Sequence, residues 1–445
     1  MFHKILLLII LSTFYFCSHI YSQTLQWRTP PNSPSGGSGE RLEDIFFINA
    51  NTGWAIFHGG KVYRTTTGGN IWDTTIIQSG NALRSIGFFD TENGILGTLS
   101  DDSNQVLYRT SNHGVNWSLI TNLPNPWPLG ICGINIANEN VAYACGRYTL
   151  PARIVKTTDK GLTWTASLID TALARSLVDC YFWDQNNGIA VGGHSVTVNF
   201  FGSYSVILKT TDGGNTWIRV YRSSRQFEWC WKISINGNSV FASIQRAGSG
   251  ISNILKTTNM GSEWQEIPFR VFSQQGIGFV NENTGWVGGF GSNYETTNGG
   301  AEWHLAGWGV NLNRIRFLSD TLAYAVGNRI YKYSREPVGI NIITGIIPAS
   351  FYLHQNYPNP FNPVTKIKFD ITRDARRPVG ASETQDVKLV VYDALGREVQ
   401  NLVNQNLSPG SYEVEFDGSN FSSGIYFYEL IANDLKEVKR MMLLK

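Results

Sequence analysis

One eight-residue pattern occurs six times in this chain and limits it to a repeat architecture. Each copy has a hydroxyl residue first, then Asp, Asn or Thr two positions later, then Gly, and Trp in last place. Because these residues recur in every unit, we expect them to be scaffold and not active site. The copies are Thr65–Trp72, Thr110–Trp117, Thr157–Trp164, Thr210–Trp217, Thr257–Trp264 and Thr296–Trp303.

A constant lead-in of apolar strands and glycine turns precedes each copy. In Leu42–Trp72 we expect an apolar strand, an Asn-Gly turn, two further strands and a fourth strand that runs through Trp72. Successive units end 39 to 53 residues apart, at Trp27, Trp72, Trp117, Trp164, Trp217, Trp264 and Trp303. This period, with four strands per unit, predicts an all-β chain whose residues 23–334 form a seven-bladed β-propeller.

Two incomplete units at the ends of this region complement each other. Residues 313–333 predict three strands and lack the repeated pattern, whereas Leu25–Arg28 is a single strand that carries Trp27. We therefore expect the amino-terminal strand to complete the seventh blade, which would remove the open sheet edges of a linear array.

The chemistry of the repeated turn explains its residue types. An Asp or Asn side chain can bond backbone N–H groups two residues on, Gly supplies a positive φ, and Trp can pack between neighbouring sheets. We expect the first turn to be the weakest, because Thr replaces Asp there. The predicted turn-holding residues are Thr67, Asn112, Asp159, Asp212, Asn259 and Asn298.

These repeats resemble those of the Asp-box, or BNR, propellers. The lead-ins, with "GWA" at Gly53 and "GWVGG" at Gly285, are most similar to those of the photosystem II stability/assembly factor family over residues 24–334. The resemblance implies a propeller with an arginine-lined surface for partner contact. A photosynthetic role is not expected for a chain built for export.

The carboxyl-terminal part has a different pattern. Residues 335–350 read as an irregular linker, and alternating strands in residues 351–445 predict a small immunoglobulin-like β-sandwich. The segment NYPNPFNP at Asn356–Pro363, with a basic final strand, resembles the type A sorting domain of the type IX secretion system. That resemblance implies contact with the secretion machinery, and release from the cell or display on its outer surface. Thr372–Thr384 reads as a loop insertion.

Residues 1–22 have the order of a signal peptide, with His3 and Lys4 before a short apolar run. No later segment is apolar enough to span a membrane.

The net charge of +2 gives no indication of a nucleic-acid partner. Two interpretations remain open for the cysteines that follow the signal peptide. They could form disulfides in an exported chain, or they could be buried as small side chains, which we favour. These cysteines are Cys132, Cys145, Cys180 and Cys230. Their spacing predicts no metal site, and no cofactor is expected.

Acidic residues raise the question of hydrolysis, because sialidases also carry Asp boxes. Glycosidases need two inward carboxylates at a defined separation. Asp44, Asp179 and Glu228 lie near the predicted innermost strands, where we interpret them as solvated charges at loop ends. No linear signature of a sialidase is present, so we predict no catalytic residue and keep a glycan-acting hydrolase as the alternative.

Binding residues are sought at the mouth of the channel. Arg84, Arg175, Arg225 and Arg314 each lie at or just before a predicted innermost strand and could converge there, although isolated solvated arginines are the alternative. Aromatic residues offer another surface: Phe227, Trp229, Trp231, Trp127 and Trp308. The alternation of Trp229 and Trp231 favours packing in a core instead. The sequence thus predicts a secreted or surface-displayed, non-enzymatic binding propeller for a protein or glycan.

Overall fold

The computed structural model describes residues 25–30, 32–36, 40–77, 82–100, 102, 105–125, 128–146, 152–195, 203–247, 251–269, 274–334, 341–344, 347–373, 384–418 and 421–445. The predicted signal peptide, half of the predicted linker, Trp127 and most of Thr372–Thr384 lie outside these residues. Within the described ranges, no helix is long and apolar enough to cross a membrane.

Regular structure in the described residues up to 334 consists of short β-strands. They are β1 (Gln26–Arg28), β2 (Leu42–Phe47), β3 (Gly53–Phe57), β4 (Lys61–Thr65), β5 (Asp73–Ile76), β6 (Ala82–Phe88), β7 (Gly94–Leu99), β8 (Leu107–Thr110), β9 (Ser118–Leu119), β10 (Gly133–Ile136), β11 (Ala142–Cys145), β12 (Arg153–Thr157), β13 (Thr165–Leu168), β14 (Ser176–Phe182), β15 (Gly188–His194), β16 (Tyr204–Thr210), β17 (Ile218–Arg222), β18 (Glu228–Asn236), β19 (Ser239–Arg246), β20 (Ser252–Thr257), β21 (Gln265–Phe269), β22 (Gln274–Phe279), β23 (Gly285–Gly289), β24 (Ser292–Thr296), β25 (His304–Val310), β26 (Arg314–Ser319), β27 (Leu322–Val326) and β28 (Ile330–Ser334).

These strands form seven four-stranded antiparallel sheets in the part of the chain that the structure describes. Six are sequential meanders, from β2–β5 to β22–β25, and the seventh has the order β1-β28-β27-β26. The innermost strand of each sheet contacts the innermost strand of the next, and β26 contacts β2, so the sheets form a ring. The prediction of an all-β propeller is confirmed.

The amino-terminal strand β1 is the outermost strand of the last sheet, which confirms the prediction made for the single strand at Leu25–Arg28. Trp27 lies opposite Tyr333 in the ladder between β1 and β28. Its ring stacks on Trp308 at 4.3 Å and meets the edge of Trp286 at 5.6 Å. Trp27 is only 8% exposed, so this strand is anchored by aromatic packing as well as by backbone hydrogen bonds.

Stacked aromatic rings join neighbouring sheets. Each such pair joins an innermost-strand aromatic residue to a ring on the second strand of the adjacent sheet, at 3.4–3.6 Å between centroids: Phe47–Tyr324, Trp54–Phe88, Tyr143–Phe182 and Phe241–Phe279. The glycine that begins the second strand leaves space for the inner ring. A Cβ at Gly53 would lie 2.5 Å from the ring of Phe47.

The repeated turn is held by its hydroxyl and carboxylate side chains together. In the third copy, Thr163 N donates to Asp159 Oδ1 at 2.8 Å, and Gly161 N donates to Thr157 Oγ1 at 2.9 Å. The carboxylate therefore binds the amide four residues on, and the predicted two-residue spacing is wrong for it. Gly161 has a φ of 81°, as the turn requires.

The tryptophan that ends each turn belongs to the turn and not to the fourth strand. Trp164 Nε1 donates to Gly161 O at 3.1 Å, and β13 begins one residue later. In the first unit β5 likewise begins after Trp72, which corrects the predicted strand boundary. Thr67 Oγ1 accepts from Ile71 N at 2.9 Å, so this hydroxyl takes the role of the missing carboxylate.

The carboxyl-terminal part is the predicted small β-sandwich, but its first strand, Asn341–Thr344, lies within residues 335–350, so the prediction of an irregular linker is wrong for these four residues. Its strands are β29 (Asn341–Thr344), β30 (Tyr352–Leu353), β31 (Val364–Ile371), β32 (Gln385–Asp393), β33 (Glu398–Leu407), β34 (Gly410–Asp417), β35 (Gly424–Ala432) and β36 (Leu435–Leu443). They form two sheets, β29-β34-β31-β30 and β33-β32-β35-β36, around a shared core that includes Phe369, Phe416 and Tyr428.

The NYPNPFNP segment covers the open edge of the final strand. Met442 N donates to Asn359 Oδ1 at 3.0 Å, and Phe361 N donates to Met442 O at 2.9 Å. Asn356 is buried and donates to Thr365 Oγ1 at 3.0 Å. The segment thus satisfies backbone groups that an edge strand would otherwise expose.

Candidate functional site

The innermost strands bring a cluster of charged side chains into the channel. Arg314 on β26 donates to both carboxylate oxygens of Asp179 on β14, at 2.6 and 3.1 Å. Its Nε lies 3.2 Å from Asp44 Oδ1 on β2, so one guanidinium bridges the two carboxylates. All three side chains are at least 95% buried.

Two more cations join this cluster. Arg316 donates to Asp44 from Nε at 3.2 Å and from a terminal nitrogen at 3.0 Å, and its side chain is 25% exposed. Lys232 on β18 is fully buried, and its Nζ lies 3.5 Å from Cys132 O. Three cations therefore face two carboxylates, Asp44 and Asp179.

A second group of charges lies at the starts of β2 and β6. Arg84 and Glu43 form a close, buried ion pair, and Arg41 Nε donates to Glu43 Oε1 at 3.1 Å. Asn313 adds a hydrogen bond to Glu43 O at 2.7 Å. Glu43 and Arg84 are buried, whereas Arg41, which directly precedes β2, keeps 12% of its side chain exposed. The half-exposed His58, after β3, lies 3.4 Å from Glu43 Oε1.

The pKa directions follow from burial and pairing. Burial raises the pKa of Asp44 and of Asp179, but Arg314 and Arg316 outweigh it and hold both pKa values below normal. Arg84 has the same effect on the pKa of Glu43. Burial, reinforced by Arg314, lowers the pKa of Lys232 to about 8. The carboxylates are therefore ionised and cannot donate a proton near neutral pH.

The interpretation of Asp44, Asp179 and Glu228 as solvated loop-end charges is wrong, because each is at most 2% exposed. Their strands run through the channel wall, where neighbouring sheets exclude water. Glu228 pairs with Arg225 at 2.7 Å, yet burial is the larger influence and raises its pKa.

The four arginines predicted at the channel mouth do not share one surface. Arg84 and Arg314 are 5% and 4% exposed and are bound to carboxylates inside the channel. Arg175 and Arg225 are half-buried just before β14 and β18. Only the latter two reach the end of the molecule at which the innermost strands begin.

A basic surface lies on the fourth sheet at that same end. We use the name basic surface for the set Arg175, His194, Arg219 and Arg222. Burial, followed by the charges of Arg219, Arg222 and Arg175, lowers the pKa of His194. Arg219 and Arg222 are exposed. Sequence reasoning found only Arg175, because the other three lie on β15 and β17 and come together through strand pairing.

Aromatic side chains border the basic surface. Tyr204 pairs with His194 across β15 and β16, and Arg222 lies over the Tyr204 ring at 3.9 Å. Phe227 is 38% exposed at a φ of 67°, in the loop that leads to β18. A bulky residue in this left-handed conformation is uncommon and costs backbone energy. The region combines exposed cations with accessible rings.

The other aromatic candidates have structural roles. Trp229 and Trp231 are 3% and 5% exposed, so the packing that their alternation favoured is confirmed. Trp308 is stacked on Trp27. Cys132, Cys145, Cys180 and Cys230 are buried thiols, which agrees with the prediction of simple burial that the sequence favoured over disulfides. Burial raises the pKa of Cys145 and of Cys230.

An open recess occupies the opposite end of the channel, where the innermost strands stop. Its volume is about 730 Å³. Phe46, Tyr181, Ile235, Phe317 and Leu318 contribute to its walls, and Arg316 to its floor. The Asp-box turns lie at this end as well, because Gly213 N in one of them donates to Asn186 O in the turn that follows β14.

Comparison with known proteins assigns the propeller. Residues 37–333 match the family described as photosynthesis system II assembly factor YCF48. The chain belongs to the YCF48 family. Residues 355–444 match the secretion system C-terminal sorting domain, so both resemblances seen in the sequence are confirmed.

Curated relatives of this YCF48-family chain are photosystem II stability/assembly factors. The chloroplastic factor HCF136 of Arabidopsis thaliana is 24% identical over 323 residues, which cover 65% of this chain and 74% of the relative. The corresponding protein of Oryza sativa subsp. japonica is 23% identical over 348 residues, with 65% and 77% covered.

Solved YCF48 structures share the fold. YCF48 from Cyanidioschyzon merolae has a TM-score of 0.53 and 20% identity, and covers 69% of this chain and 99% of its own. A structure of YCF48 bound to D1 peptide has a TM-score of 0.51 and 18% identity, with 70% and 94% covered. At this identity the likeness shows the propeller fold alone.

Proposed function

We propose that this chain is an exported, non-enzymatic binding protein whose propeller holds an anionic polypeptide segment on the basic surface. The observation that carries the proposal is the grouping of Arg175, His194, Arg219 and Arg222 beside the rings of Tyr204 and Phe227. Arginine and aromatic side chains are the residue types that dominate protein-binding hot spots.

Charge explains the choice of an anionic partner. Inside the channel, Arg314 and Arg84 are buried and bound to Asp179, Asp44 and Glu43. On the basic surface, by contrast, the side chains of Arg219 and Arg222 are exposed to solvent. Exposed guanidinium groups bind carboxylates in a forked geometry and attract acidic chains over a distance of about 10 Å at moderate salt. The structure of YCF48 with a D1 peptide shows that a propeller of this family accepts a peptide partner.

The alternative of glycan hydrolysis has less support. A glycosidase needs one carboxylic acid with a raised pKa and a second carboxylate that can reach the sugar. Asp44 and Asp179 are close together, because Arg314 bridges them, but both are buried and both pKa values are held low. Neither side chain can act as a proton donor or meet a substrate. The pKa of Glu228 is raised, but this side chain is fully buried and paired with Arg225, so it does not reach a substrate either.

Export is proposed through the sorting domain. A type IX sorting domain at residues 355–444 supports delivery across the outer membrane. We further propose that residues 1–22 are a signal peptide for the first membrane, that the chain between Ser334 and Asn341 links the domains, and that the product is released or held at the cell surface. The basic surface would then meet extracellular partners.

Fluorescence anisotropy tests the binding proposal. The probe is a short synthetic peptide rich in Glu and Phe, titrated with the full mature chain at two salt concentrations. We expect the peptide affinity to fall as the salt concentration rises. The substitution Arg222→Glu should lower that affinity about tenfold, which corresponds to roughly 1.4 kcal/mol of binding free energy. Lys61→Glu, an exposed cation at the same end of the first sheet, is the matched control and should bind like the parent. Equal affinities of the parent and Arg222→Glu would reject the proposal.

A further inference from the structure

The recess at the Asp-box end of the channel has the size and lining of a small-molecule site. Its volume of about 730 Å³ lies within the usual range for ligand pockets, and its lining is about equally polar and apolar. Phe46, Phe317 and Leu318 are each only partly buried in its wall. Their exposed apolar surface favours a ligand that removes it from water.

The floor of the recess carries positive charge. Arg316 is the cation that reaches it, with a quarter of its side chain exposed. Its partner Asp44 is shared with Arg314 and also accepts the amide hydrogens of Ile45 and Ile86. One carboxylate thus serves two guanidinium groups, and Lys232 adds a third cation nearby.

Partial enclosure strengthens this charge. The neighbouring sheets and the apolar side chains in the wall reduce the effective dielectric around Arg316, so an anion that enters is attracted more strongly than at an open surface. Tyr181 also lines the recess, and a tyrosine hydroxyl can donate a hydrogen bond to an anion. The polar groups at this end therefore select for an acceptor with negative charge.

We propose that the recess binds a small amphiphilic carboxylate, with the carboxylate on Arg316 and the apolar body against Phe46, Ile235, Phe317 and Leu318. This site is distinct from the basic surface, because it lies where the innermost strands end and the basic surface lies where they begin. The inference does not depend on the proposed peptide binding.

Isothermal titration calorimetry of the full mature chain tests this site. The probe is decanoate below its micelle concentration, and decanol is the uncharged comparison. We expect one saturable decanoate site per chain. Decanol should bind at least about tenfold more weakly, because it lacks a charge-assisted contact worth roughly 1.4 kcal/mol. Absence of saturable decanoate binding, or equal binding of both probes, would overturn the proposal.

Variants locate the binding. Leu318→Trp fills the recess and should weaken decanoate binding at least about tenfold, whereas Leu162→Trp, on an exposed turn far from the channel, should leave it unchanged. Melting curves check that each variant folds, and Ile235→Trp from another wall replaces Leu318→Trp if that variant is unstable. Arg222→Glu should bind decanoate normally, which separates this proposal from the peptide proposal. Unchanged decanoate affinity in the folded recess-filling variant would contradict the assignment.

Discussion

At the scale of single residues, polar side chains on the innermost strands join one sheet to the next. An innermost strand has an unpaired edge, and its free amides need acceptors in a site without water. Side chains of the preceding sheet provide them: Ile86 N donates to Asp44 Oδ2 (3.2 Å), Phe182 N to Asn135 Oδ1 (3.0 Å), Ile233 N to Asp179 Oδ2 (3.1 Å) and Phe279 N to Ser234 Oγ (2.8 Å). The two aspartates are therefore structural acceptors.

Lys232 makes stability depend on pH. Its pKa falls from the usual 10.5 to about 8 in the folded chain, so the unfolded chain binds more protons between these values. Stability from this group therefore rises as pH increases from about 8 to 10.5, and the buried ammonium costs stability at lower pH. Lys232→Met should remove that cost, up to roughly 3 kcal/mol, and flatten the slope.

Urea unfolding at a series of pH values measures this effect. The exposed control Lys61→Met should keep the pH slope of the parent chain. A Lys232→Met variant that is less stable than the parent at neutral pH would show that the ammonium is held favourably by Asp44 and Asp179, against the present interpretation.

At the scale of elements, the amino-terminal strand completes the ring through one large side chain. Trp27 packs among Trp308, Trp286 and Tyr333, and only three residues of β1 form the ladder to β28. So short a strand gains little from backbone pairing, and its attachment depends on the buried indole.

Trp27→Ala should therefore destabilise the propeller by about 3–5 kcal/mol, the usual cost of removing a buried Trp side chain. Deleting residues 23–28 should cost at least as much, since the edge of β28 is then also exposed. Ile76→Ala on the outermost strand of the first sheet is the control, because Ile76 is 64% exposed and should change stability by less than about 0.5 kcal/mol. Thermal unfolding followed by circular dichroism gives the comparison, and an unchanged Trp27→Ala transition would mean that β1 does not hold the ring.

At the scale of the whole molecule, the repeat pattern predicted most of the architecture and little of the site. Turn residues such as Asp159 and Trp164 recur in sequence because they act locally, so the propeller could be inferred from them. The basic surface could not, because His194 and Arg222 become neighbours of Arg175 only through the pairing of four strands, β14 to β17. The burial of Asp44 and Asp179 was equally invisible, since it depends on strands that are far apart along the chain.

Removal of residues 351–445 tests the export route. The truncated chain lacks the described strands β30–β36 and with them the match to the sorting domain. We expect it to accumulate in the periplasm, whereas the full chain reaches the cell surface or the medium. Fractionation and immunoblotting measure the distribution. Normal release of the truncated chain would show that export does not require the sandwich.

The central claim is that the basic surface is where this propeller meets an anionic partner. Hydrogen–deuterium exchange of the full mature chain, with and without the peptide rich in Glu and Phe, tests it most directly. Our account predicts slower exchange in Ser176–His194 and in residues 204–228, with the strands of the first sheet unchanged. Protection confined to other sheets, or no protection at saturating peptide, would contradict it.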